Sequence, residues 1–149
     1  MHLLSLLIIA LMALTFAQNT CTGDKSLAGH CTILSVTDRT VSSTKASVNT
    51  CLDTCRNFLT DAGDWFVDFI GQPEGYIDNI SRSTCGFSVG RGEGEPLDYK
   101  FYMHNQDIVD IIDEVNTKFG SLHGGKVAGE GTMNCDGHLA TWFQPRRIP

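Results

Sequence analysis

The sequence predicts an α+β fold, a two-layer sandwich in which an antiparallel sheet carries two helices on one face in split β-α-β units. Three observations support this prediction. Residues 105–119 repeat with the period of an amphipathic helix, a second helical pattern begins near residue 50, and several short stretches alternate between apolar and polar residues as strands do. The predicted order of elements is β-α-β-β-β-α-β-β.

The first 17 residues have the composition of a secretory signal peptide. Leu3 to Leu14 is an apolar core of about a dozen residues, and small residues follow it, although no Lys or Arg precedes it. A membrane helix needs ~20 apolar residues, so we expect cleavage after Ala17 and a secreted, extracellular product without a membrane anchor. The remainder divides into a flexible N-terminal segment at 18–30, one domain at 31–144 and a C-terminal tail at 145–149.

Six cysteines lie after the predicted signal peptide. An even number of cysteines in an exported chain predicts disulfides rather than metal ligands, and each bridge contributes about 2–4 kcal/mol. Residues 51 and 55 lie on one predicted helix and are expected to reach different partners, but the spacing alone does not choose the pairing. The cysteines are Cys21, Cys31, Cys51, Cys55, Cys85 and Cys135.

The domain begins with a predicted strand and helix. Residues 32–39 alternate loosely and predict a strand, and a Ser/Thr-rich connector follows at 42–49. Either Asn49 or Thr50 is expected to cap the first helix, which we expect to end at 61–63. Its expected apolar face consists of Leu52, Cys55, Phe58 and Leu59.

Three predicted strands lie between the two helices. Residues 65–70 are strongly apolar and aromatic, 85–89 alternate, and 98–103 alternate again. Between them, 76–81 are expected to be irregular or helical, and a glycine-rich loop at 90–96 is expected to be exposed and mobile. The residues expected to face inward are Cys85, Phe87, Val89, Tyr99, Phe101 and Met103.

The second helix, at 105–119, is the clearest element of the sequence. Asn105 is its expected N-cap, Asp107 lies in its first turn, Lys118 in its last, and Gly120 is the expected stop. Its expected apolar face consists of Ile108, Ile111, Ile112, Val115 and Phe119.

Two further strands are predicted after this helix, at 127–133 and 138–143. Gly129 and Gly131 lie on one face of the first of these strands, so another element is expected to approach it closely there. Cys135, just beyond it, is expected to tie the strand to the disulfide framework.

The residue patterns do not predict catalysis or metal binding. The carboxylates Asp107, Asp110, Asp113 and Glu114 lie on the polar side of the second helix, so we interpret them as a solvent-exposed face rather than a catalytic pair. The glycine-rich loop leads into a strand, whereas a phosphate loop leads into a helix N-terminus. The histidines His30, His104, His123 and His138 are scattered and lack metal-binding spacing. We therefore expect no catalytic residue, no metal site and no cofactor.

The surface chemistry suggests what the protein does not bind. A net charge of −6 argues against a nucleic-acid or anionic-membrane partner, and the basic pair Arg146 and Arg147 is interpreted as solvated. A sequon at Asn79, in a turn-rich region, predicts N-glycosylation. Most aromatic residues are expected in the core, and Trp142 and Tyr102 are the best candidates for a surface that stacks on glycans.

Several segments together resemble a known family. In order, they match the "extracellular protein two" effectors of fungi, also called the necrosis-inducing factor family, which are similar in turn to the killer toxins of smut fungi. The resemblance covers 51–135 and implies a killer-toxin-like α+β fold. The matching segments are 51–58, 63–67, 84–89, 105–119 and 126–135.

The chain departs from the family pattern in its cysteines. Relatives usually begin with a Cys-Gly-Asp-Ser-like strand, and the segments at Cys21 and Cys31 both compete for that position. Cys55 is an additional cysteine in the first helix. A bridge from Cys21 or Cys31 to Cys55 is a pairing that the resemblance allows.

The resemblance implies a secreted, disulfide-stabilised fungal effector or virulence protein that acts through surface interactions rather than catalysis and, like some relatives, induces host cell death. The alternatives are a killer-toxin-like antimicrobial channel blocker, which the acidic charge disfavours, a cell-wall or chitin-associated binding module, and a small secreted hydrolase. The expected partner is a cell-surface protein, channel or glycan of a host or competitor, bound by a monomer.

Overall fold

The computed structural model describes residues 18–60 and 63–147, and within them the chain forms an α+β structure with two helices and antiparallel strands, which confirms the predicted class. The predicted signal peptide lies outside these residues, as do two of the three residues expected to end the first helix. In chain order the elements are β1 (Cys31–Ile33), β2 (Thr37–Asp38), β3 (Ala46–Ser47), α1 (Val48–Thr60), β4 (Asp64–Asp68), β5 (Ile77–Ser81), β6 (Phe87–Arg91), β7 (Lys100–His104), α2 (Asn105–Phe119), β8 (Lys126–Val127), β9 (Gly129–Cys135) and β10 (His138–Gln144).

The strands form one large sheet and two small ones. The large sheet has the order β1-β9-β10-β6-β5, and β2 pairs with β9 beside β1. The small sheets are the pairs β3–β8 and β4–β7. Every pairing is antiparallel. The inward side chains of these sheets and of the two helices form one core, whose largest members include Trp142, Phe69, Phe87 and Phe101.

Helix α2 has the bounds that the sequence predicts, but its N-cap is His104 rather than Asn105. The His104 ring nitrogen Nδ1 accepts a hydrogen bond from the Gln106 amide at 3.1 Å. In return, the His104 amide donates to Asp107 Oδ2 at 2.7 Å, which completes a capping box. The predicted N-cap, Asn105, is therefore wrong by one residue. The His104 ring accepts the capping hydrogen bond that a side chain of Asn, Asp, Ser or Thr usually accepts.

Helix α1 begins earlier than predicted. Ser47 Oγ accepts a hydrogen bond from the Thr50 amide at 3.1 Å, so Ser47 is the capping side chain and not Asn49 or Thr50. The buried residues of α1 are Cys51, Thr54, Cys55 and Phe58.

The close approach expected at the β9 glycines is confirmed. A Cβ on Gly129 would lie 2.7 Å from Val115 Cγ2, so α2 packs directly on the strand there. A Cβ on Gly131 would overlap the Ser35 carbonyl oxygen and lie 2.6 Å from the ring of Trp142.

The single strand predicted at 32–39 is divided into β1 and β2. The amides of Leu34 and Ser35 both donate to the Thr132 carbonyl, at 2.9 and 3.2 Å, so the chain bends outward between the two short strands. The bend accounts for the loose alternation in the sequence, since two residues here share one partner position on β9.

Two predictions between the helices are wrong. Residues 76–81 are not irregular or helical, because 77–81 form β5 at the edge of the large sheet. The loop expected at 90–96 is not exposed throughout. Gly90 belongs to β6, and both Gly90 and Gly92 are buried. The Gly92 amide donates to the Leu139 carbonyl at 3.1 Å, which holds the start of this loop against β10.

Candidate functional site

Three disulfides join the six cysteines, in the pairs Cys21–Cys55, Cys31–Cys135 and Cys51–Cys85. The two cysteines of α1 therefore reach different partners. Cys55 pairs with Cys21, one of the two partners that the resemblance allowed. The bridge Cys31–Cys135 joins two residues that face each other in the β1–β9 pairing.

The N-terminal segment, for which the sequence predicted flexibility, lies along the polar side of α2. The Asp24 amide donates to Gln106 Oε1 at 2.9 Å, and Lys25 Nζ lies 2.6 Å from Asp110 Oδ1. With the Cys21–Cys55 bridge, these contacts connect the segment to both helices.

The helix carboxylates are therefore not a simple solvent-exposed face. Asp107 is buried, and its Oδ2 also accepts the His30 amide at 2.9 Å, so the expected exposure of this residue is wrong. Asp110 and Asp113 share Lys25 as an ion-pair partner, and Glu114 pairs with Lys118. These groups hold the N-terminal segment and the helix rather than forming a cleft.

The described residues contain no group of three or more His, Cys, Asp or Glu side chains placed to hold a metal ion. Burial raises the pKa of Asp78, which is the kind of shift that a general acid requires. However, no side-chain hydrogen bond joins Asp78 to a second carboxylate or histidine within the part of the chain that the structure describes.

Of the two aromatic residues expected at the surface, only Tyr102 is exposed. Trp142 is fully buried and packs over Gly131, so its expected surface role is wrong. Tyr102 is 48% exposed and pairs with Phe66, which is 45% exposed, with ring centroids 5.1 Å apart and ring planes tilted by 43°.

The strand register explains why these two rings are exposed together. Phe66 on β4 lies opposite Tyr102 on β7. Val67 and Phe101 are also opposite each other, and both are buried. Because successive side chains point to opposite faces of a strand, the same alternation that buries Val67 and Phe101 turns Phe66 and Tyr102 outward.

Two cationic or titratable groups border these rings. Lys100 Nζ lies 5.8 Å from the centroid of the Phe66 ring, and the His30 ring lies 6.0 Å from that of Tyr102. We call the surface formed by Phe66, Tyr102, Lys100 and His30 the aromatic patch.

His30 is held between two carboxylates. Its Nδ1 lies 3.1 Å from Asp136 Oδ1, and its Nε2 lies 3.4 Å from Asp64 Oδ2. The hydrogen bond with Asp136 is the main cause that raises the pKa of His30, desolvation opposes it, and Asp64 adds to the rise. The bridge Cys31–Cys135 joins the residues next to His30 and Asp136, so a covalent link keeps this pair together.

Sequence reasoning did not predict that Phe66 and His30 belong to one surface with Tyr102. The stretch at 65–70 was predicted only as a strongly apolar, aromatic strand, although neighbouring residues such as Phe66 and Val67 must point to opposite faces of any strand. His30 gave no signal, because its carboxylate partners come from distant positions in the chain. Asn79 lies in β5, where its Oδ1 is buried without a hydrogen-bond partner among the described residues, and its glycosylation stays a prediction.

The fold and its bridges define a small, disulfide-stabilised α+β protein. None of the helices in the described part of the chain is long and apolar enough to span a membrane. A family model described as "Pathogen effector; putative necrosis-inducing factor" (Hce2) matches residues 30–135, which is most of the chain. The chain belongs to this pathogen effector family. A search of curated proteins gave no significant match.

Proposed function

We propose that this protein is a secreted fungal effector that acts outside host cells by binding a host cell-surface protein, and that this binding induces host cell death. The observation that carries the proposal is the aromatic patch. Phe66 and Tyr102 are large, exposed rings that the pairing of β4 with β7 places opposite each other. Lys100 and His30 lie beside them. Exposed aromatic residues are enriched at the centres of protein-binding surfaces.

The geometry favours a protein partner over crystalline chitin. A flat polysaccharide surface is bound best by coplanar rings, whereas these two rings are tilted by 43°. Two features of the chain also support an extracellular site of action. The first 17 residues are predicted to be a signal peptide, and disulfides form in oxidising compartments.

The test is a tissue-infiltration assay with purified protein. The double variant Phe66→Ala/Tyr102→Ala is compared with Leu97→Ala/Leu122→Ala, which removes two exposed apolar side chains from outside the patch. We expect the patch variant to require at least about tenfold more protein for the same cell death, since hot-spot residues contribute about 2 kcal/mol or more, while the control remains fully active.

Thermal unfolding of each variant establishes that the fold persists. A patch variant that kills tissue at the same concentration as the wild type would contradict the proposal that the patch binds the host protein. A wild-type protein that produces no response in host tissue but inhibits fungal cultures would favour the antimicrobial alternative, and retention on insoluble chitin would favour the cell-wall module.

A further inference from the structure

A second surface feature is a polar groove of about 870 Å³ between the turn at 39–44 and the C-terminal segment at 143–147. Its floor is formed by neighbouring strands, with Gly129 and Glu130 on β9 and Phe143 on β10. This volume is near the upper end of the range of small-molecule sites, and the groove is partly open to solvent. It therefore has room for several linked rings rather than for a single ion.

The residues that line this groove include three arginines, Arg39, Arg146 and Arg147, and one carboxylate, Glu130. Arg39 Nη1 lies 3.0 Å from Glu130 Oε1, and this is the one ion pair of the lining residues within the described part of the chain. Arg146 and Arg147 have no carboxylate partner among the described residues. In a protein with a net charge of −6, the groove is thus a local region of excess positive charge.

The arginines are held in place before any ligand binds. The Arg147 guanidinium lies over the Phe143 ring, 5.5 Å from its centroid, and the Arg147 amide donates to Ser88 Oγ at 3.0 Å. Arg146 packs its Cδ against Gly86, where a Cβ would lie 3.1 Å from it. The Arg39 guanidinium is held by its ion pair with Glu130. Such fixed cations lose little conformational entropy on binding an anion.

We infer that the groove binds an acidic polysaccharide, whose sugar rings carry carboxylate or sulfate groups. The guanidinium groups provide forked donors that match carboxylate and sulfate oxygens. The facing wall carries the hydroxyls of Ser42, Ser43 and Thr44, which can exchange hydrogen bonds with sugar hydroxyls. This site is separate from the proposed function of the aromatic patch and uses none of its residues.

The strand topology disfavours an acidic peptide as the occupant. Peptides bind sheets by adding a strand to an exposed edge. Here β9 and β10 are both interior strands of the large sheet, so their backbone groups are already engaged on either side. A ligand on this floor must bind through side chains, and the available side chains are arginines and hydroxyl groups.

The experiment measures binding of the full secreted chain to polygalacturonate, heparin, poly-glutamate and soluble chitin oligomers at low and physiological salt. The variant Arg146→Gln/Arg147→Gln removes two groove charges. The control Arg56→Gln/Arg82→Gln removes two exposed arginine charges that do not line the groove. We expect the wild type and the control to bind an acidic polysaccharide, and the groove variant to bind it at least about tenfold more weakly, since a charge-assisted hydrogen bond contributes more than a neutral one.

Preference between polygalacturonate and heparin identifies carboxylate or sulfate as the recognised group. Binding should weaken as salt rises, because the groove is open to solvent. Equal or tighter binding of poly-glutamate would overturn the inference in favour of an acidic peptide. The absence of binding at low salt, or equal weakening in the groove variant and the control, would also overturn it. Because these measurements do not involve Phe66 or Tyr102, their failure leaves the effector proposal unaffected.

Discussion

The packing at Gly131 yields a quantitative prediction, since the substitution Gly131→Ala adds one methyl group where there is no space. The new Cβ would overlap the Ser35 carbonyl oxygen and lie 2.6 Å from Trp142 Cζ2, whereas carbon atoms in contact are normally about 3.5–4.0 Å apart. Neither neighbour is the free end of a flexible side chain. We therefore expect the bend between β1 and β2 to be displaced.

The magnitude follows from what this displacement breaks. The Leu34 and Ser35 amides donate to the Thr132 carbonyl, and Ser35 Oγ accepts the Thr132 amide at 2.9 Å. Each of these hydrogen bonds contributes about 1 kcal/mol, and overpacking itself costs about 1–3 kcal/mol. With partial relaxation we expect the free energy of unfolding to fall by about 3 kcal/mol, which corresponds to a decrease in Tm of roughly 10 °C.

The matched control is Gly90→Ala on β6. Its Cβ would lie 3.6 Å from Phe143 and 3.8 Å from Ile77, which is ordinary contact, so we expect no loss and a gain of up to about 0.5 kcal/mol from the restricted unfolded chain. Urea unfolding followed by tryptophan fluorescence measures both variants, because buried Trp142 reports on this region. Equal stabilities of the two variants would refute the argument that Gly131 is required for space.

Two further predictions concern the bridges and the pH dependence. A disulfide stabilises the fold by lowering the entropy of the unfolded chain, more so for a longer loop. Replacing Cys31 and Cys135, which are 104 residues apart, by Ala should lower the free energy of unfolding by about 4.7 kcal/mol. The same replacement of Cys51 and Cys85, which are 34 residues apart, should lower it by about 3.8 kcal/mol. Asp136 and Asp64 raise the pKa of His30 in the folded state above 6.5. The stability that protonated His30 contributes is therefore fully present below pH 6.5 and is lost as pH rises through the folded-state pKa. We expect the variant His30→Gln to lose the decrease in Tm over this pH range that is due to His30.

Each of these predictions has a defined contrary result. A larger loss for the Cys51 and Cys85 pair than for Cys31 and Cys135 would mean that the packing of buried sulfur outweighs the entropy of the longer loop. For His30, a variant whose Tm keeps the wild-type slope above pH 6.5 would contradict the assignment. Asp53→Asn, which alters an exposed carboxylate that pairs with Arg56, serves as the control and should leave the slope unchanged.

The sequence predicts the elements with strong periodicity and fails where periodicity is weak. The bounds of α2 were correct because its apolar residues repeat over four turns. Strand β5 was missed because Ile77 to Ser81 are all half-buried at the sheet edge, so no alternation between apolar and polar residues arises. Trp142 was misplaced because β10 has apolar residues on both faces, with Ala140 and Trp142 inward and Leu139 and Phe143 outward.

The candidate sites were less accessible to sequence reasoning than the fold. The contacts of His30 with Asp64 and Asp136 join positions up to 106 residues apart, and no local pattern encodes such a meeting. Asp107 was interpreted as a solvent-exposed acid since it lies on the polar side of α2. Its burial follows from the N-terminal segment that covers this side, which only the three-dimensional arrangement reveals.

Disulfides hold helix α1 but not helix α2. Two of the four buried residues of α1 are the cysteines Cys51 and Cys55, whereas α2 is held by a continuous row of buried aliphatic side chains and has no cysteine. In a reducing environment such as the cytosol, where thiols replace disulfides, α1 would lose both of its covalent attachments while α2 kept its packing. With its bridges reduced, the N-terminal segment would depend on its hydrogen bonds and ion pairs with α2 alone, and α1 on its packing alone.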